Sequence, residues 1–214
     1  MKKILILLFF LNSVLFFSQI NVAEITKNVT ENPQKYFYEY LEVFMEDPSK
    51  LSQEEMNQFY YGSRFVKTGY SLSNYNKDYD EIWKIASKKR MSKVKAQKIF
   101  VKAEAAYYKN PLNMEILASM VNIYNAIDEK GKAEKCVLQN NRIIKTIDES
   151  GTGKIDFPIC VITAGDMLTF AKPIMMKGSD FKQKDIKTDD NCILTEYSNG
   201  DVSLFVKCIG CFNF

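Results

Sequence analysis

Few kinds of residue in this chain can carry chemistry. Its 214 residues include no histidine. That removes Ser-His-Asp and Cys-His nucleophilic catalysis, imidazole general bases and imidazole metal ligands. Carboxylates, lysines, tyrosines and five cysteines remain. Cys208-Ile-Gly-Cys211 has CxxC spacing. A redox pair of that spacing needs a helix N-terminus to lower the thiol pKa. Here it closes a strand-like run, so packing or a structural disulfide is the expectation, with no metal and no cofactor. Glycoside hydrolysis would need two carboxyl groups ~5–10 Å apart across a cleft. Glu54, Glu55, Asp78, Asp80, Glu81, Glu104 and Glu115 are of the right type, but no pair stands out and several read as helix caps. No catalytic residue is assigned, and the chain is read as a non-enzyme.

Binding chemistry is better represented. Lys84, Lys88, Lys89, Arg90, Lys93, Lys95 and Lys98 form seven cations with no acid between Lys84 and Lys98. They suit an anionic partner such as a surface polysaccharide or lipid phosphate, and equally the solvated faces of two successive helices. Tyrosine and arginine are the residue types that anchor interfaces. Tyr61, Arg64, Tyr70 and Tyr75, with Lys88, Lys89 and Arg90, are therefore the expected lining of a partner groove.

These residues must be held by helices. From 96 to 147 the apolar residues fall in three stripes at steps of three and four. The first is Ile99, Phe100, Ala103, Ala106 and Tyr107. The second is Ile116, Leu117, Met120, Val121, Ile123, Tyr124 and Ile127, and the third Ala133, Cys136, Val137, Ile144 and Ile147. Short connections make the three helices antiparallel neighbours. Upstream, Asn21 to Glu31 reads as a polar lead-in. Asn32-Pro33 starts a helix with Tyr36, Phe37, Tyr40, Leu41 and Phe44 on one face, closed by Asp47-Pro48. Ser52 with Glu55 makes a capping box, and Leu51 with Met56 a hydrophobic staple. Met56, Phe59, Tyr60 and Val66 follow on one face, with Gly69 as a stop. Asp78 with Glu81 starts a further helix that turns Ile82, Trp83 and Ala86 inward.

Pro111-Leu112-Asn113 between two helices, Tyr124, and Gly131-Lys132-Ala133 resemble a tetratricopeptide repeat. Counted from Met114, Leu117, Met120, Tyr124 and Ala133 fall on its large-apolar, aromatic and alanine sites. Val121 and Asp128 depart from its small-residue and glycine sites, so the repeat is degenerate. The resemblance implies stacked helix pairs with a concave face that binds proteins or peptides.

Ser150-Gly151-Thr152-Gly153 reads as a linker. A glycine pair cradling phosphate needs a strand before it and a helix after it, and the order here is the reverse. Phe157 to Thr163 is strand-like, and Gly165 to Phe170 has room for one helical turn. Asn191 to Glu196 and Val202 to Lys207 flank Ser198-Asn199-Gly200-Asp201, a strong hairpin signal. A turn at Asn199-Gly200 sets Cys192 opposite Lys207. A one-residue bulge sets it opposite Cys208 and allows a Cys192–Cys208 disulfide.

The N-terminus has the form of a secretory leader: Lys2 and Lys3, then an apolar run from Ile4 to Phe17, with cleavage expected after Ser18. The run falls short of the ~20 apolar residues of a membrane span, so no stable span is expected after cleavage. Export to the periplasm or beyond follows, and it disfavours nucleic acid as a partner. Losing Lys2 and Lys3 lowers the formal charge from +3 to +1, which makes no general case for polyanions.

Three segments together resemble a Bacteroidetes family of exported proteins catalogued as domain of unknown function 4919. They are Leu51-Ser52-Gln53-Glu54-Glu55 running into Tyr60-Tyr61-Gly62, the helix pair joined by Pro111-Leu112-Asn113, and Gly151-Thr152-Gly153 leading to Cys160-Val161-Ile162-Thr163 and Gly165-Asp166. The resemblance implies an exported protein with no assigned catalytic residues. The expected architecture is α+β, mainly α. A leader at 1–18 precedes antiparallel, tetratricopeptide-like helix pairs over 19–149, and a small antiparallel β unit over 150–214 docks on them. The expected function is a non-enzymatic module that binds a protein or peptide of the cell envelope. A carboxylate-dependent glycan hydrolase and a small-ligand carrier are the alternatives.

Overall fold

The computed structural model describes residues 20–66, 77–87, 91–177, 179–187, 192–209 and 211. The leader, Gly69, Tyr70, Tyr75, Lys88, Lys89 and Arg90 lie outside these residues. The described chain forms eight helices and one four-stranded sheet, so the architecture is α+β and mainly helical.

Helix α1 (Val22–Glu31) is capped by Asn21, whose side chain accepts from the Glu24 N–H at 3.1 Å. The expected polar lead-in is thus a helix. Its buried face is only Ile25 and Val29, too short a stripe to show among polar neighbours. Asn32 accepts from the Lys35 N–H at 3.1 Å and Pro33 is helical, as the sequence predicts. A π-turn (Gln34–Tyr38) then runs into α2 (Glu39–Glu46). The wider turn slips the helix face. Phe37 and Phe44 are fully buried, with ring centroids 5.3 and 5.2 Å from Phe59, while Tyr36, Tyr40 and Leu41 are only half-buried.

Both halves of the capping box are present at α3 (Gln53–Gly62). The Glu55 N–H donates to Ser52 Oγ at 3.2 Å and the Ser52 N–H to Glu55 Oε2 at 2.7 Å. Leu51 and Met56 are buried. The helix ends at Gly62, earlier than the sequence suggests. There an added Cβ would lie 2.8 Å from Val29 Cγ1, so it is a side chain of α1 that approaches closely. Helix α4 (Lys77–Ala86) buries Tyr79, Ile82 and Ala86, but Trp83 is 53% exposed. It sits one position past Ile82, at the edge of the buried stripe.

Helices α5 (Lys93–Lys109), α6 (Met114–Ala126) and α7 (Lys130–Asp148) carry the expected stripes. Asn113 caps α6 by accepting from the Ile116 N–H at 3.0 Å. Helix α6 packs against α4, α5 and α7, and α3 packs on α7. The third stripe needs correction. Helix α7 buries Ala133, Cys136, Gln139, Ile143, Thr146 and Ile147, while Val137 and Ile144 face outward. Two polar residues occupy the inner face because each is hydrogen-bonded there. Gln139 accepts from the Tyr107 hydroxyl at 2.9 Å and donates to the Phe44 carbonyl at 3.0 Å. Thr146 donates to the Arg142 carbonyl at 2.8 Å.

The remainder is β1 (Ile159–Val161), α8 (Ala164–Met175), β2 (Phe181–Lys187), β3 (Ile193–Asn199) and β4 (Val202–Cys208), with strand order β1-β4-β3-β2. Helix α8 is three turns, not one, and packs over β1, β3 and β4. It carries the chain to the far edge of the sheet. Two antiparallel steps then return it, so β4 reaches β1 in parallel. The sheet is therefore mixed, where an antiparallel unit is expected from sequence. The edge strand β2 carries exposed Lys182 and Lys184, which protect an edge from further pairing.

In the hairpin Asn199 pairs with Val202, so Gly200 (φ +60°) and Asp201 form the turn, one residue later than expected. Ile193 then faces Cys208, and Cys208 is disulfide-bonded to Cys211. This overturns the Cys192–Cys208 pairing. Cys136, Cys160 and Cys192 are buried thiols. The Gly151–Gly153 stretch is pinned at both ends: the Cys160 N–H donates to Ser150 Oγ at 2.7 Å and the Phe205 N–H to the Gly153 carbonyl at 2.8 Å.

Candidate functional site

The helical layer and the sheet unit meet at two consecutive tyrosines of α3. Tyr60 and Tyr61 are fully buried, their rings edge to face at 4.8 Å. Tyr60 donates to Asp166 Oδ2 at 2.8 Å and Tyr61 to the Cys160 carbonyl at 2.9 Å. Burial holds both phenols well above their ordinary pKa, so they stay donors. Asp166 lies in the first turn of α8, where its N–H donates to the capping Thr163 Oγ1 at 3.1 Å. Burial pushes its carboxyl up to about 6. Hydrogen bonds from Tyr60 and Thr163 oppose the rise, and the charge of Glu115 adds to it.

Tyr61 therefore faces the core and is not presented to a partner. Arg64, just past the end of α3, is half-buried, and burial lowers its pKa. The other five expected lining residues lie outside the described residues.

A different cleft is open. The capped starts of α6 (Asn113) and α8 (Thr163) border a hollow of about 270 Å³ whose lining also includes Glu115 and the buried Asp166. Two helix N-termini there favour negative charge, and the two carboxyls already supply it. The hollow shares Met114, Glu115, Gly165, Leu168 and Thr169 with a groove of about 420 Å³ between α4, α6, α7 and α8.

Three large apolar side chains from three helices stand at this groove: Trp83 (53% exposed), Ile144 (36%) and Leu168 (51%). Among them are polar groups. Asn140 Oδ1 is buried and has no hydrogen-bond partner among the described residues. Asn122 Nδ2 is held by the Ala86 carbonyl at 2.9 Å, and Lys172 lines one wall. The surface offers apolar contact and one charge of each sign, from Glu115 and Lys172. It holds no nucleophile with an imidazole beside it, because the chain has none. No cluster of three or more side chains able to hold a metal occurs among the described residues.

Sequence reasoning placed Trp83 and Ile144 inward and gave Asn140, Leu168 and Lys172 no role. The available signal was the spacing. Tyr79, Ile82 and Ala86 complete the inner stripe of α4 without Trp83, and Ala133, Cys136 and Ile143 do the same on α7 without Ile144.

The family model described as Domain of unknown function (DUF4919) matches residues 23–196, from α1 into β3. No curated protein and no solved structure matches the chain.

Proposed function

The chain belongs to the DUF4919 family, and from that premise we propose that it is a non-enzymatic binding module of the cell envelope whose seat is the groove between α4, α6, α7 and α8. The observation that carries this reading is the convergence of Trp83, Ile144 and Leu168, from three helices, on one open groove. A contiguous exposed apolar patch is uncommon unless something covers it, and tryptophan is a frequent interface anchor. An extended protein or peptide segment fits best: its apolar side chains meet Trp83, Ile144 and Leu168, and its polar groups meet Glu115 and Lys172 at the walls. The burial of Leu117, Met120, Tyr124 and Ala133 supports reading α6 and α7 as a degenerate tetratricopeptide-like pair. The basic and apolar leader supports export, and no helix among the described residues is long and apolar enough to cross a membrane.

Trp83 is the sole tryptophan, so its emission reports on the groove alone. Peptides selected from a random library on the folded protein should shift that emission and lose affinity with Leu168→Asp. Binders that leave Trp83 unchanged, or no binders, overturn the reading. The leader is tested by the mass of the exported protein, since an intact Met1 rules out cleavage.

Carboxylate-dependent hydrolysis of envelope glycans is a second reading, favoured by one observation. Glu115 and Asp166 line the same hollow, and Asp166 is raised to about 6, as a general acid needs. Against it, Asp166 is buried and bound to Tyr60. Turnover of peptidoglycan fragments abolished by Glu115→Gln would establish it. For the small-ligand reading, Phe37 of the π-turn and Phe44 of α2 pack directly on Phe59, and the hollow of about 420 Å³ beside Tyr36 and Tyr40 is bordered by Glu24, Glu54 and Glu55 rather than by an apolar wall.

A further inference from the structure

Helix α5 buries Ala96, Ile99, Ala103, Ala106 and Tyr107, yet it turns a second apolar line to solvent. Val94, Val101 and Tyr108 are 76%, 77% and 59% exposed. Steps of seven residues keep them in one narrow strip along the helix, ~21 Å long at 1.5 Å per residue. Ala105, also exposed, lies within the strip.

Lysines run along one flank. On the helical wheel Lys98, Lys109, Lys102 and Lys95 follow in order from the edge of the strip. Lys102 is engaged by Glu81, and Lys93, on the opposite flank, by Asp128 at 3.5 Å. Lys95, Lys98 and Lys109 have no ion pair among the described residues. The one acid of α5, Glu104, is half-buried and accepts from the Tyr124 hydroxyl at 3.2 Å. The outward face is therefore apolar along its crest and positive along its side.

A second copy of the chain would set like charges together. The partner must supply negative charge and accept a straight apolar ridge held rigid from behind. We propose that α5 is the docking face for a bilayer surface rich in anionic phospholipid. Val94, Val101 and Tyr108 enter the boundary between headgroups and acyl chains, while Lys95, Lys98 and Lys109 meet the lipid phosphates. Each contribution is weak alone, and peripheral attachment takes two such signals together. The groove of α4, α6, α7 and α8 remains open in this arrangement, so the inference stands apart from the binding reading above.

The test is flotation of the purified protein with phosphatidylcholine vesicles, with and without phosphatidylglycerol. Two surface variants are compared, each checked for folding by circular dichroism: Val94→Ser/Val101→Ser/Tyr108→Ser and Lys95→Glu/Lys98→Glu/Lys109→Glu. The protein should float only with the anionic vesicles. Salt should weaken attachment, the triple lysine reversal should cost more than roughly fivefold in partitioning for each lysine changed, and the apolar variant should release the protein. No flotation with phosphatidylglycerol, flotation undiminished in either folded variant, or binding to polyglutamate but not to vesicles overturns the proposal. The last outcome would assign the face to acidic protein.

Discussion

The Tyr60 hydroxyl donates to Asp166 Oδ2 at 2.8 Å, joining residues 106 positions apart at the seam between α3 and α8. Tyr60→Phe leaves a buried carboxyl short of one donor, and a buried polar group left unsatisfied costs ~1–3 kcal/mol. Tyr61→Phe removes a hydrogen bond to a neutral carbonyl instead and should cost about 1 kcal/mol. Urea unfolding at neutral pH should rank the two variants in that order.

The same carboxyl makes stability depend on pH. Folding raises Asp166 from 3.8 to about 6, with burial as the largest cause. The folded state therefore holds the proton more tightly, and the contribution is fully present below the unfolded value. It declines as pH rises and is gone above about 6. The shift corresponds to roughly 3 kcal/mol. Asp166→Asn should abolish that slope and leave the variant at least as stable as the parent at pH 7. A parent whose stability rises between pH 4 and 6 would contradict this.

Two glycines fix the turn into the sheet unit. A Cβ on Gly151 would collide with the Pro158 carbonyl, and Gly153 adopts φ +72° against the Leu204 side chain. Gly151→Ala should destabilise by ~3 kcal/mol, since backbone must move. Gly131→Ala is the control: nothing lies within 4 Å, and the site is helical. It should be neutral or stabilise by a few tenths up to ~1 kcal/mol. Thermal unfolding separates the two.

The disulfide predicts a thiol count. In denaturant without reductant, Cys136, Cys160 and Cys192 should label, while Cys208 and Cys211 should not. Reductant should raise the labelled count from three to five. Five labelled from the outset would remove the bond.

What was legible in the sequence was local. Ser52 and Glu55 satisfy a helix end within three residues of themselves, as does Asn32 before Pro33, so their types and spacing suffice. The stripe of α6 is equally plain, because nearly every inner position is apolar. What was illegible depended on distant partners. Gln139 is fully buried only because Tyr107 and the Phe44 carbonyl, 32 and 95 positions away, meet its two ends. Asp166 is likewise buried only because Tyr60 reaches it. The groove is harder still. It is the space left where four helices fail to close, and Trp83 belongs to it by one step of helical rotation.

The strand order carries a consequence for synthesis. The last of the four strands to leave the ribosome, β4, is an inner strand and, among the described residues, the sole sheet neighbour of β1. While the residues between β1 and β4 are being made, the helices can collapse around α6 and β1 waits with its backbone groups unmet. A premature stop codon before Val202 would therefore do more than trim a tail. It would release a product with two raw strand edges, β1 and β3, and such edges recruit other chains.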